Sequence, residues 1–228
     1  MGWYNHLTDR TMFFNLTPPT LIARIVVLLT AFTLHEFAHA WTADRFGDPT
    51  PRSRGRLTLN PLAHLDPMGS LLLLTVGFGW AKPVEVNPYL LQRRSPSAMM
   101  WVSLAGPLSN LLMAVLAALP FRLSWVSPMD ALMAPGKIFP TPAKLLYEFV
   151  LINLVLMLFN LIPLAPLDGE KIADRLFPAA WSRALERIRP YGPAILLLLL
   201  FVGPALGFNF LGWILGPPLQ ALMNLLIG

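Results

Sequence analysis

Residues 32–43 read FTLHEFAHAWTA and end an apolar run that begins at Leu21. His35 and His39 are four residues apart, so on an α-helix they lie on one face about one turn apart. Glu36 follows the first histidine, and this H-E-x-x-H spacing is typical of zinc hydrolases, in which one helix carries two nitrogen ligands and a general base. Polar groups are costly in an apolar span, so we expect a metal site rather than two ordinary histidines beside a capping glutamate.

The composition is that of a polytopic membrane protein, because 55% of the residues are apolar and only 13% are charged. At 228 residues we expect a single domain, 1–228, with no room for a sizeable soluble second domain. The chain has no cysteine, so disulfides, thiolate ligands and a cysteine nucleophile are excluded, and any zinc must be held by histidine and carboxylate. The net charge of +5 comes from loops between apolar runs, which indicates membrane orientation and not nucleic-acid binding.

Three apolar runs, residues 21–43, 98–119 and 144–164, predict clear membrane spans. The tail, residues 191–228, has no charged residue and is expected to form two shorter helices with a break near residues 207–209, or one span and an interfacial helix. Residues 1–20 lack the basic start and cleavage site of a signal peptide, so the first run is expected to remain a membrane helix. We therefore expect an all-α fold of about five or six transmembrane helices, with its core at about residues 21–175.

A small β-like, membrane-associated segment is predicted between the first two clear spans. Residues 56–60 alternate and residues 84–87 read as extended, so their edges could hold an extended substrate by strand addition. Between Met68 and Trp80 the chain is apolar but short, which favours a short tilted helix or a segment buried in the protein. His64 and Asp66 lie in a proline-flanked turn, where a local turn role is favoured over a contact with the site.

The loop charges predict an orientation. If the first span ends in the cytoplasm, residues 44–97 and 168–190 lie on that side with twelve of the 17 Lys and Arg residues. The remaining five lie on the other side, which is a usable positive-inside bias. His39 and Asp168 then lie near the same cytoplasmic face.

Asp168 is the candidate third ligand. It follows the third span directly after Pro163 and Pro166, which cannot continue a regular helix. Opened backbone is tolerated in a membrane only where protein or a water-filled cavity satisfies it, so a cavity is expected there. Three protein ligands with a water as fourth is the arrangement of catalytic zinc. The alternative is that Asp168 only caps the next helix.

Two asparagines are candidates for substrate or oxyanion contacts. Asn160 lies two helical turns before the candidate ligand Asp168, and Asn110 lies in the second clear span. Each could instead form a hydrogen bond between membrane helices.

The paired motifs resemble the site-2 protease family of intramembrane zinc metalloproteases. The resemblance rests on residues 35–39 in an early span and on N-x-x-P-x-x-P-L-D-G, residues 160–169, at the end of a later one. Residues 105–110 resemble the family's middle-helix motif. Residues 55–61 and 80–84 look like a compact prokaryotic branch without PDZ or CBS domains.

The resemblance implies a three-helix core with the site near the cytoplasmic face of the cell membrane. It also implies one zinc ion held by His35, His39 and Asp168, with Glu36 as the catalytic base. The substrates would be transmembrane segments of membrane proteins, cut by a zinc-activated water; the oligomeric state and substrate identity stay open.

The sequence leaves three rival functions open. Another type of membrane zinc protease would use a downstream glutamate as third ligand, for which Glu85, Glu148, Glu170 and Glu186 are the candidates. A catalytically retired membrane chaperone or assembly factor would not need the intact Glu36. A zinc transporter would need carboxylates and histidines on several helices.

Overall fold

Five helices in the described part of the chain are long and apolar enough to cross a membrane. The computed structural model describes residues 17–69, 79–133 and 138–228. The helices are α1 (Pro18–Arg45), α2 (Thr50–Ser53), α3 (Pro88–Arg94), α4 (Ala98–Arg122), α5 (Pro128–Met133), α6 (Pro142–Asn160), α7 (Asp168–Leu176), α8 (Ala179–Ile188), α9 (Gly192–Leu197), α10 (Gly203–Ala205) and α11 (Phe210–Ile227). The chain is thus the expected all-α, polytopic membrane protein.

Helix α1 buries one stripe of side chains, and that stripe carries both histidines. Ala23, Val27 and Ala31 recur every four residues and are fully buried, and His35 and His39 continue the same spacing. Residues four apart lie above one another on a helix, so the face that packs on the neighbouring helices is also the face that presents the imidazoles. Prolines at the first two helical positions start α1 where their missing N–H groups are not needed.

Helix α4 presents a matching stripe of small residues. Val102, Gly106, Asn110, Ala114 and Ala118 also recur every four residues and are buried. Helices α1, α4 and α6 pack against one another through these faces, because small side chains let membrane helices approach closely. The three helices form the predicted three-helix core.

A buried ion cluster joins α1 to α6 near their first turns. The Glu148 carboxylate lies 3.2 Å from Arg24 Nε and 2.8 Å from Lys144 Nζ, and Glu148 is almost fully buried. Arg24 precedes His35 by eleven residues, or about 16 Å of helix, so the cluster lies well away from the histidines.

The C-terminal tail forms two helical runs with a break between them, as one of the two alternatives expected. Residues 179–205 form a helical run with a π-helical stretch at Leu198–Val202, and α11 follows. The break falls where predicted: Gly207 has a left-handed φ of +91°, and the Asn209 side chain caps α11 by accepting from the Gly212 N–H. Both runs expose most of their apolar side chains, which is expected for helices that face lipid.

The predicted β-like segment has little β pairing. Within the described residues an isolated antiparallel bridge joins Leu65 to Ala81, and residues 56–60 and 84–87 are irregular chain. The alternating apolar and polar residues at positions 56–60 therefore do not form a sheet strand. Arg56 instead points inward and donates to backbone carbonyls of this segment. Most of the stretch between Met68 and Trp80 lies outside the described residues, so the short tilted or buried segment stays a prediction.

Candidate metal centre

A chain of buried amides fixes the His35 ring. Asn153 on α6 donates its side-chain NH2 to the Phe149 carbonyl, so its oxygen faces Asn110 and accepts from the Asn110 NH2 at 2.9 Å. The Asn110 oxygen in turn lies 2.6 Å from His35 Nδ1. An amide oxygen can only accept, so Nδ1 carries the proton and the neutral ring has its lone pair on Nε2.

The His39 ring is fixed in the same way from α4. Its Nδ1 lies 2.7 Å from the Val102 carbonyl oxygen, which also can only accept. Both histidines therefore present a bare Nε2, and these two atoms are 3.0 Å apart. Two lone pairs at this distance repel one another unless a cation lies between them.

Asp168 completes the group with a carboxylate oxygen. Its Oδ2 lies 3.2 Å from His35 Nε2 and 3.3 Å from His39 Nε2, and it is buried without a hydrogen-bond partner. In a tetrahedral site with bonds of about 2.0 Å, ligand atoms are about 3.3 Å apart. Three acceptor atoms at these separations fit one metal ion, so these residues could hold it.

Asp168 reaches this position because the chain turns sharply after α6. Asp168 is the first residue of α7 and Leu167 occupies the cap position, so the aspartate is not the helix cap considered as the alternative. A Cβ at Gly169 would lie 2.4 Å from the Leu161 carbonyl oxygen, so a glycine is required for α7 to approach the end of α6 this closely.

Gly106 leaves the space in front of the histidines open. A Cβ at this position would lie 2.4 Å from His39 Nε2 and 2.6 Å from His35 Nε2. No other residue could bring α4 so close to α1 without touching the ligand atoms.

Glu36 is held beside this group by the segment between α1 and α4. Its Oε2 accepts from the Val84 N–H at 2.9 Å, and Arg56 Nη2 lies 4.0 Å from the same atom. Arg56 also donates to the carbonyls of Ala63 and Lys82, so one guanidinium ties this irregular segment together and fixes the part of it that holds Glu36. Burial lowers the pKa of Arg56 while the Glu36 and Glu85 carboxylates oppose that effect, and an arginine stays charged.

A cavity of about 470 Å³ opens onto His35, Glu36, His39 and Asp168. Residues 79–86 form part of one wall. Helix α9 and the π-helical stretch after it form another, with Pro193, Leu196, Leu197 and Leu200. Asn160, predicted as a substrate contact, lines this cavity, while its own NH2 donates to the Leu156 carbonyl. Asn110 is not among the described residues that line it; it makes the interhelical hydrogen bond expected as the alternative and supports His35 instead.

Several partners in the site were not predicted from the sequence. Asn153 is a lone amide in an apolar span, so the reasoning applied to Asn110 could have found it. The contacts of Arg56 and Val84 with Glu36 depend on the path of an irregular segment, which no local pattern reveals. Among the rival third ligands, Glu85 pairs with Arg54, Glu148 with Arg24 and Lys144, and Glu170 with Arg189.

The chain is similar to curated bacterial proteins. It is 40% identical over 198 residues to "Putative zinc metalloprotease YwhC" of Bacillus subtilis, with 86% of each chain covered. It is 34% identical to "Putative zinc metalloprotease Rip2" of Mycolicibacterium smegmatis, covering 81% of this chain and 70% of that one, and 33% identical to Rip2 of Mycobacterium tuberculosis, covering 82% and 68%.

No family model and no solved structure matched the chain. The identity to YwhC extends over most of both chains, and the names of these relatives agree with the metal-binding group and the membrane helices described above. The chain therefore belongs to the zinc metalloprotease family of YwhC and Rip2.

Proposed function

We propose that this protein is a zinc-dependent intramembrane endopeptidase of the site-2 protease type. The observation that carries the proposal is the convergence of two bare imidazole nitrogens and an unpartnered carboxylate oxygen beside Glu36, in a cavity between membrane helices. His35, His39 and Asp168 would hold one zinc ion per chain. Bound there, zinc would polarise the scissile carbonyl and lower the pKa of a water molecule.

Glu36 is the general base and then the general acid. Its Oε2 is occupied by the Val84 N–H, whereas no hydrogen bond to Oε1 is found within the described residues. Oε1 therefore takes the proton from the attacking water and later delivers it to the leaving nitrogen of the peptide bond. Arg56 Nη2 lies 4.0 Å from Glu36 Oε2, and the same guanidinium fixes Lys82, two residues before Val84.

The substrate is an unwound stretch of a transmembrane segment. Helical carbonyls are already hydrogen-bonded, so a substrate helix must open before it can be cut. Pro83, Val84 and Val86 line the cavity beside the metal group, so we expect an extended substrate to lie along this segment. Asn160 lines the same cavity and is suited to bind the substrate backbone or the developing oxyanion.

The site works near the cytoplasmic face of the plasma membrane. The distribution of Lys and Arg supports this orientation, with residues 44–97 and 168–190 on the cytoplasmic side. Asp168 follows the end of α6 and His39 lies near the end of α1, so both would be close to that face.

The test compares the wild type with Glu36→Gln in cells and in liposomes. We expect membrane proteins that the wild type cuts to accumulate uncut in the variant, while purified Glu36→Gln keeps its zinc. Glu186→Gln, on the outward-lying helix α8, is the matched control and should behave as the wild type. A Glu36→Gln protein that still cuts at the wild-type rate would contradict the proposal, and a role as a non-catalytic membrane chaperone would then be the better explanation.

A further inference from the structure

We propose that Lys171 determines substrate specificity by pairing with a substrate carboxylate, the side chain of an Asp or Glu close to the scissile bond. This inference rests on the proposed function above. An acidic residue beside the scissile bond is a feature of the substrate that neither the metal group nor Glu36 could recognise.

Lys171 lies inside the catalytic cavity. It is three residues after Asp168 on α7, about one helical turn, so both side chains lie on the same face of that helix. Among the described residues that line the cavity, Lys171 is the one lysine or arginine. The side chains of Pro166, Pro193 and Leu197, which also line the cavity, are apolar and cannot pair with an ammonium group.

Lys171 has no ion pair or hydrogen bond to any described residue, whereas two charged neighbours on α7 are engaged. Asp174, one turn further along α7, is exposed to solvent. On the same helix Glu170 pairs with Arg189, and Arg175 donates to Ser97. Within the cavity the Asp168 carboxylate faces the histidines and the Glu36 carboxylate is held by the Val84 N–H. The protein thus supplies a cation in the site and leaves its partner to come from outside.

A half-buried ammonium in an apolar cavity is poorly compensated until an anion binds. A substrate carboxylate would satisfy it with charge-assisted hydrogen bonds, which are stronger than neutral ones. The long flexible stem of lysine lets the ammonium reach a carboxylate at more than one position of an extended substrate. An uncharged substrate residue at the same place would leave Lys171 unpaired, and a basic one would be repelled by it. The enzyme should therefore prefer acidic residues over neutral ones, and neutral over basic ones.

The experiment measures cleavage of single-span peptides in phosphatidylcholine liposomes, with zinc-loaded protein. The cleavage site is located by mass spectrometry, and each flanking position is then made Glu, Gln or Lys in otherwise identical peptides. We expect the wild type to cut the best Glu peptide with a kcat/KM about tenfold above that of its Gln partner. Lys171→Glu should reverse the order in favour of the Lys peptide, and Lys171→Met should remove the preference.

The matched control is Arg183→Glu, which changes the net charge equally on exposed α8 and should keep the wild-type preference. A wild type that cuts all peptides equally would overturn the role of Lys171 and leave the proposed function standing. The role of Lys171 would also be overturned if Lys171→Glu changed the cleavage rates of the Glu, Gln and Lys peptides by the same factor. That result would indicate that Lys171 contacts lipid headgroups or has a structural role. Zinc-loaded wild type that cuts no peptide would overturn both proposals.

Discussion

Replacing Asn110 with leucine tests how the helices prepare His35 for metal. The Asn110 oxygen accepts from His35 Nδ1 at 2.6 Å, and the Asn110 NH2 donates to Asn153. Leucine is close to asparagine in size but can do neither. The variant keeps the ligands and removes the group that fixes the ring's tautomer and orientation.

The magnitude follows from these two contacts. Loss of the group that orients a metal-binding histidine typically lowers metal affinity about 10- to 100-fold, or about 1.4–2.7 kcal/mol. The variant also leaves His35 Nδ1 and the Asn153 oxygen buried and unpaired, at about 1–3 kcal/mol each. We therefore expect weaker zinc binding and a lower free energy of unfolding in the zinc-free protein.

Zinc affinity is measured by competition with a chromophoric chelator, and stability by thermal unfolding in detergent without metal. Asn153→Leu separates the two effects, because it keeps the His35 contact and should lower stability with a smaller loss of affinity. Asn160→Leu is the control, since its NH2 donates within its own helix, and it should bind zinc as the wild type does. If Asn110→Leu binds zinc as tightly as the wild type, the reasoning on the His35 tautomer is refuted.

Two further predictions concern close packing and buried charge. Gly106→Ala should lower zinc affinity by roughly tenfold or more, because the added methyl would lie 2.4 Å from His39 Nε2; chelator competition measures it, and unchanged affinity would contradict the close approach of α4. Glu148→Gln should destabilise the protein by about 1.5–3 kcal/mol, because it removes the buried carboxylate that accepts from Arg24 and pairs with Lys144. Thermal unfolding in detergent measures this loss, and an unchanged midpoint would show that the cluster contributes nothing.

The ligand-bearing elements could be predicted from the sequence because local patterns specify them. The four-residue spacing of His35 and His39 has meaning only on a helix, and an apolar run long enough to cross a bilayer specifies the helix. The prolines before Asp168 likewise predict the end of a span, and α6 ends at Asn160.

The surroundings of the site could not be predicted, because they depend on packing between distant parts of the chain. The hydrogen bonds that link Asn153, Asn110 and His35 form only if α6, α4 and α1 pack at the right relative heights, which a local sequence pattern does not specify. The irregular segment that holds Glu36 is fixed by Arg56, whose side chain binds two carbonyls far apart in sequence. The alternating pattern of residues 56–60 predicts a β-like stretch. In the structure, however, this segment is held by the buried Arg56 side chain and not by backbone pairing between strands.

The central claim is that ligands from α1 and from the start of α7 hold one metal ion together. Its most direct test is the zinc content and affinity of purified Asp168→Ala beside Asp174→Ala, a carboxylate on the same helix outside the metal group. We predict one tightly held zinc per chain in the wild type and in Asp174→Ala, and its loss from Asp168→Ala under chelator competition. An Asp168→Ala protein that holds one zinc per chain as tightly as the wild type would contradict the account.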